Sequence, residues 1–209
     1  MPEEPKYITA SCSISHGVVR FATESLFTNE AGPLQDFLLS VYRHFRIDYP
    51  KFHKMDSLSK LGLLASEILL KDYPKPGTGK PDEISIVLCN ANASLDADLH
   101  YWQSVKNIPS PALFVYTLPN IVIGEICIRN NFKGENAFFV QDHFDGAFMH
   151  FYVSNLMDNE NTVMAICGWV DVIEEEYKAV LYRVEKKQTE GSRPFTIETI
   201  NNIYELANG

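Results

Sequence analysis

Apolar positions recur along the chain in two periods, and the places where one gives way to the other predict the elements. Residues 7–14 (YITASCSI) carry β-branched and small side chains between polar flanks, the composition of a strand. Pro33 then opens LQDFLLSVYRHF, in which Leu34, Phe37, Leu38, Val41 and Phe45 return every three or four residues, predicting a helix with proline near its first turn. The same period in Leu58, Leu61, Leu64, Ala65, Ile68 and Leu69 predicts a second helix over 57–70. Residues 71–83 (KDYPKPGTGKPDE) break the pattern with proline and glycine and read as a surface loop.

The continuous apolar run at 84–89 (ISIVLC) suits a strand buried on both faces, and 137–140 (AFFV) reads in the same way. Between them, 95–105 predicts a polar-faced helix, and 119–132 a helix that turns Ile121, Gly124, Ile128 and Phe132 inward. A further helix follows at about 144–156. Strands at 162–172 and 177–187 come next, the second alternating Tyr177, Ala179, Leu181, Arg183 and Glu185 against Lys178, Val180, Tyr182 and Val184, as an edge or antiparallel strand does. Residues 190–194 form a hinge, so that 188–209 is a connection followed by a short terminal helix. Strands alternating with helices give one α/β domain over 1–209, with a five-stranded mixed sheet covered by helices.

Composition narrows the function classes. The 209 residues are 45% apolar and 22% charged, enough for a substantial core. Acidic residues outnumber basic ones by 27 to 18, and a net charge of -9 argues against nucleic acid and anionic lipid as partners. No apolar stretch approaches the roughly 20 residues of a membrane span, and residues 1–6 lack the apolar core of a signal peptide, so a cytoplasmic location is expected. Cys12, Cys89, Cys127 and Cys167 are spaced 77, 38 and 40 residues apart with no CxxC pair, which predicts free buried thiols, not a zinc site or a disulfide scaffold. His100 and His150 are isolated histidines on helices. Asp96, Asp98 and the run Glu174, Glu175 and Glu176 read as solvated faces, and GTG at 77–79 lacks the helix that a phosphate loop needs. No metal or cofactor is expected.

Residues 110–146, SPALFVYTLPNIVIGEICIRNNFKGENAFFVQDHFDG, resemble the stretch of β-ketoacyl synthases that leads to the nucleophilic cysteine, within the thiolase-like fold. Thr117, Asn120, Gly124, Ile128, Lys133, Gly134 and Gly146 fall in register without a gap. Upstream, FHKMDSLSKLGLLASEILL at 52–70 is similar to the family's Asp-x-x-Ser helix, and VMAICGWVDVI at 163–173 is similar to the strand that ends near Gly-Gly-x-Glu. The resemblance implies an α/β thiolase-like half domain, equivalent to the N-terminal half of a synthase.

In that register the nucleophile position holds His143. Gln141 and Asp142 replace the preceding Thr-Ala, and Asp145 replaces the following Ser. The second half of a synthase, with its two histidines and lysine, has no counterpart in the 209 residues. The resemblance therefore implies a catalytically inactive partner of a full-length ketosynthase, like a chain-length factor, working with an acyl carrier protein in fatty acid, aryl polyene or polyketide biosynthesis, and a possible homodimer when alone. It also implies that 111–119, with Phe114 and Tyr116, and the positions Asn120 and Phe139 face the partner or the acyl tunnel. The alternatives are a small acyl hydrolase using His143 as general base with Asp142 orienting it, and a non-catalytic acyl or carrier-protein binding module. The aromatic group Phe114, Tyr116, Phe138, Phe139, Phe148, Phe151 and Tyr152 is expected to be mostly core.

Overall fold

A computed structural model of the chain describes residues 4–30, 32–73, 80–106, 108–159 and 161–207. Among them are eight strands: β1 (Tyr7–Ser15), β2 (Val18–Phe21), β3 (Glu24–Thr28), β4 (Ile84–Asn90), β5 (Asn136–Val140), β6 (Met164–Ile173), β7 (Glu176–Glu185) and β8 (Arg193–Pro194). The helices are α1 (Leu34–His44), α2 (Ser57–Leu69), α3 (Leu95–Val105), α4 (Pro111–Phe114), α5 (Ile121–Asn130), α6 (Gly146–Asn159) and α7 (Ile197–Leu206). All strands join one mixed sheet in the order β3-β2-β1-β7-β6-β4-β5, with β8 pairing β1 outside this path. β4 runs parallel to β5 and β6, and β7 runs antiparallel to both β6 and β1.

The five expected strands are present, and three more extend the sheet beyond them. β2 and β3 form a meander with β1 through short, weakly apolar segments (VVRF and ESLFT) whose pattern alone is too brief to announce strands. β8 lies inside the expected hinge, where Tyr7 pairs Pro194 and Ile8 pairs Arg193. Residues 74–79, including the GTG motif, lie outside the described residues.

Burial explains the layering. Every residue of β4 is buried, as its unbroken apolar run predicts. Ile84, Ile86 and Leu88 pack toward α1, α2 and α5, while Val87 and Cys89 pack toward α6 and α7. β7 divides in the same way, with Ala179 and Leu181 to one side and Val180, Tyr182 and Val184 to the other. It is thus an antiparallel strand at the centre of the sheet, not at an edge. The true edge on this side is β5, expected to be buried but half-exposed along its length. In β1 a register shift between Ile8 and Ala10 reverses the facing, so Ile8 joins the α6–α7 cluster while Ala10, Cys12 and Ile14 join the other. Gly168 of β6 has φ +144°, and a Cβ there would lie 2.0 Å from the Val180 carbonyl oxygen, so only glycine keeps β6 and β7 this close.

Two expectations about helices are corrected. α5 buries Val122, Ile123 and Ile126, while Ile128 is 65% exposed and a Cβ on Gly124 would meet nothing. The helix ends at Asn131 in the left-handed region, and Phe132 is buried from the turn beyond it, so a 3–4 spacing counted through Phe132 selects the wrong face. Asp96 is not solvated. It is buried, accepts hydrogen bonds from Ser57 Oγ at 3.1 Å and from the Glu174 backbone N–H at 3.0 Å, and ties α3 to α2 and to the β6–β7 turn. Among the described residues no single helix is long and apolar enough to cross a membrane.

Asp56 caps α2 by accepting the Ser59 N–H at 3.1 Å. Burial pushes its carboxyl up to about 6 against the Ser59 hydrogen bonds that lower it, with Asp96 adding repulsion. A carboxyl raised on folding favours the native state most when protonated, and that contribution is lost as pH rises from about 4 to about 6. Asp56→Asn keeps the capping acceptor without the buried charge. Chemical denaturation should therefore find the variant more stable than the parent at pH 7.5 by about 1–2 kcal/mol, with the difference vanishing near pH 4. Equal stability at both pH values would show that the charge is fully compensated.

Candidate functional site

The loop between β5 and α6 leaves the C-terminal end of the sheet's parallel strands, where ligands commonly bind in α/β sheets. It begins with the Gln141 N–H donating to the Asn90 carbonyl at 2.9 Å, which continues the β4–β5 pairing by one residue. Gln141 is half-buried, and its Oε1 is buried without a hydrogen-bond partner among the described residues. Asp142 and His143 are exposed. Phe144 anchors the loop by stacking on Tyr204 of α7, with centroids 4.2 Å apart, and by edge contact with Trp169 at 6.3 Å.

Asp145 is the cap of α6. Its Oδ1 accepts the Ala147 and Phe148 N–H groups at 2.9 and 3.0 Å, and its carbonyl accepts the Met149 N–H at 3.0 Å. The N-terminus of α6 is thus occupied by a side chain of its own sequence, and His143 stands three residues before the first helical residue, Gly146. Gly146 is packed so closely against α7 that a Cβ would lie 2.1 Å from Asn201 Oδ1.

His143 and Asp142 border a cleft of about 530 Å³ that also includes His16, Asp171, Lys178 and Tyr204. Asp171 is engaged by the Asn92 backbone N–H at 3.1 Å and Nδ2 at 2.8 Å, and Lys178 lies 3.5 Å from the Tyr204 ring centre. Burial raises the Tyr204 hydroxyl to about 12 and lowers Lys178. The cleft thus offers two histidines but no exposed cysteine or serine. A thiol does lie beneath it: Cys89 donates to the Gly168 carbonyl at 3.4 Å, and burial holds it up at about 12, far from a thiolate nucleophile. Cys12 and Cys167 are likewise buried and raised, and all four cysteines are free, as the spacing predicts, although Cys127 is half-buried where a buried thiol is expected.

The positions expected to face a partner divide. Phe114 is 58% exposed and touches Tyr101, with centroids 5.4 Å apart, whereas Tyr116 turns into the chain's own core and donates to Glu125 Oε1 at 3.3 Å. Glu125 is also buried and takes Lys51 Nζ at 2.8 Å. Asn120 is exposed, immediately before α5. Phe139 is half-buried on the β5 edge, in edge contact with Phe148 and Tyr152 at 4.9 Å each. Of the aromatic group expected to be core, only Tyr116 is buried, and Phe151 is 65% exposed. Apolar exposure also runs along α3, α4 and the turn after them, through Leu99, Trp102, Phe114, Val115 and Leu118. Sequence reading missed Glu125, since a lone acid inside an apolar helix gives no sign of the partner that buries it, and it took Asp96 for a solvated residue because Asp98 beside it gives the first turn of α3 a polar look.

Asp145 and His143 should separate structure from chemistry. Asp145→Ala removes the α6 cap and is expected to lower stability by about 1 kcal/mol, whereas the exposed His143→Ala should change it by less than about 0.5 kcal/mol, as read from urea midpoints.

No protein-family model and no curated protein sequence matches the chain. Solved structures do. The ishigamide ketosynthase/chain length factor superposes with a TM-score of 0.64 and 17% identity over 91% of this chain and 64% of that one. The ketosynthase ApeO in complex with its chain length factor ApeC, from Xenorhabdus doucetiae, gives 0.58 and 13% over 97% of this chain and 91% of that one, so the two matched chains are of similar length. A type II polyketide synthase acyl-carrier protein in complex with its ketosynthase, AntDE:AntF, gives 0.65 and 12% over 88% and 63%. This chain therefore spans just under two thirds of the first and third of these structures and nearly all of the second. It has the thiolase-like fold of these ketosynthase and chain-length-factor structures.

Proposed function

We propose that this chain is a non-catalytic, chain-length-factor-like partner that docks on a full-length ketosynthase through the β5 edge. The observation that carries the reading is β5 itself. NAFFV is an uncharged apolar strand with one edge unpaired, bordered by Phe148 and Tyr152 and ending in Val140, which is 55% exposed. Isolated soluble domains shield such edges with charge, proline or a bulge, and none of these is present on β5. The exposed apolar side chains of α3 and α4 add area of the kind that obligate interfaces bury, about 2,000 Å² or more.

The chemistry agrees with a non-catalytic role. A condensing enzyme needs a thiolate stabilised at a helix N-terminus. Here His143 and Asp142 are exposed, Asp145 closes the helix end, and the cysteine below is buried and protonated. The partner would supply the nucleophile and the carrier-protein contact, in a cytoplasmic heterodimer acting on carrier-bound acyl chains.

Co-expression with the ketosynthase encoded nearest to it should yield a one-to-one complex, and Val140→Lys should prevent its assembly while shifting the isolated chain's stability by less than about 0.5 kcal/mol. A chain that remains monomeric or only self-associates in the presence of the ketosynthase overturns the reading. Intact-mass analysis after incubation with an acylated carrier protein should find no adduct on this chain, and His143→Cys should produce no β-ketoacyl product. Phe114→Ala in the assembled complex should lengthen products by about one or two two-carbon units if the ring lies against the growing chain. An unchanged distribution assigns Phe114 to the interface alone.

A further inference from the structure

The opposite end of the α6–α7 face holds a cavity remote in sequence from both the β5 edge and the 141–145 loop. It measures about 150 Å³ and lies between β1, the end of β2, Arg193 of β8 and the last turn of α7. A space of this size accommodates one molecule of about the bulk of benzene. It exists because β1 pairs with β2 over Cys12 to Ser15 and with β8 only at Tyr7 and Ile8, so the two neighbours flank β1 without meeting.

Its lining is chemically divided. Ile8, Ile203 and Leu206 are apolar. Ser11 and Ser13 are 7% and 8% exposed as whole residues, and both line the cavity, where no hydrogen bond within the described residues engages either side chain. Ser15, two residues further along the strand, contrasts with them: its hydroxyl donates to the Ala207 carbonyl at 2.7 Å. Arg20 and Arg193 line the cavity and no acidic residue does. Arg20 is engaged in another interaction, whereas Arg193 makes no ion pair among the described residues. In a chain of net charge -9 this is a local reversal of sign.

We propose that the cavity is a binding site for a short-chain monocarboxylate of about four to six carbons. The carboxylate accepts hydrogen bonds from Ser11 and Ser13 and pairs with the Arg193 guanidinium. The alkyl tail lies along Ile8, Ile203 and Leu206. A free phosphate has no tail to fill the apolar side, and a neutral alcohol leaves the guanidinium without a counter-charge. The site is independent of the ketosynthase reading, since it uses neither β5 nor His143.

Titration calorimetry of the whole chain with hexanoate, hexanol and inorganic phosphate tests this. Hexanoate should bind saturably with a Kd on the order of 1 mM, the range open to so small a ligand, and the other two at least about tenfold more weakly. Arg193→Gln and Ser13→Ala should each weaken hexanoate by about fivefold or more. Leu206 is 59% exposed, so Leu206→Trp can fill the cavity without disturbing the fold and should abolish binding while circular dichroism is unchanged. Amide shifts on hexanoate addition should centre on Ser11, Ser13 and Leu206. The proposal is overturned if hexanoate does not saturate, if hexanol or phosphate binds as well, or if folded Leu206→Trp binds as tightly as the parent.

Discussion

A strand buried on both faces needs cover on both sides, and β4, β6 and β7 impose that requirement on everything around them. Their apolar side chains alternate into two clusters, so helices on one face alone would leave Val87, Cys167, Val180, Tyr182 and Val184 in water. α6 covers part of this second face, and α7 covers the rest with Ile200 and Ile203. α7 is held from below as well: the Tyr182 hydroxyl donates to the Ile200 carbonyl at 3.0 Å, and Ser15 donates to Ala207. Those two bonds place Tyr204 over Phe144, and that stack holds the loop carrying His143. The geometry of the candidate site is thus a consequence of covering the sheet.

Much of this was legible in the chain, for reasons that differ by element. Continuous apolar runs identified β4, and the 3–4 spacing of Leu34, Phe37, Leu38 and Val41 identified α1, because one-sided or two-sided burial leaves a direct periodic trace. β5 shows the limit of that inference. AFFV is as apolar as a core strand, yet it is an edge, because apolarity reports a preference for contact without saying whether the contact lies within the chain. β2 and β3 were missed since an edge meander needs little burial. The face of α5 was misread because Phe132 is buried from a turn and not from the helix.

The site was legible in place more than in chemistry. The helix expected at about 144–156 is α6, Gly146–Asn159, so His143 lies in the loop three residues before its first residue. Side-chain partnerships were not accessible in that way. Asp145 as the cap, Tyr116 on Glu125, and Ser57 and Glu174 converging on Asp96 join residues from 2 to 78 positions apart. Only the folded chain brings such groups together. The same holds for the split between Phe114 and Tyr116, two rings two residues apart that leave one turn in different directions.

The pairing of β1 with β7 has a consequence for the timing of synthesis. Tyr7 meets Glu185, so β1 waits for a partner strand made 178 residues later. At about 5–20 residues per second the interval is roughly 10–35 s, far longer than the microseconds in which β1, β2 and β3 can close as a local meander. During that time the β7-facing edge of β1, with Cys12 and Ile14 on its apolar side, is open to any other extended segment. The chain's own topology therefore leaves one edge of β1 unpaired until β7 is made, and it sets the loop-closure entropy of β1 against β7 as the slow term in reaching the native sheet.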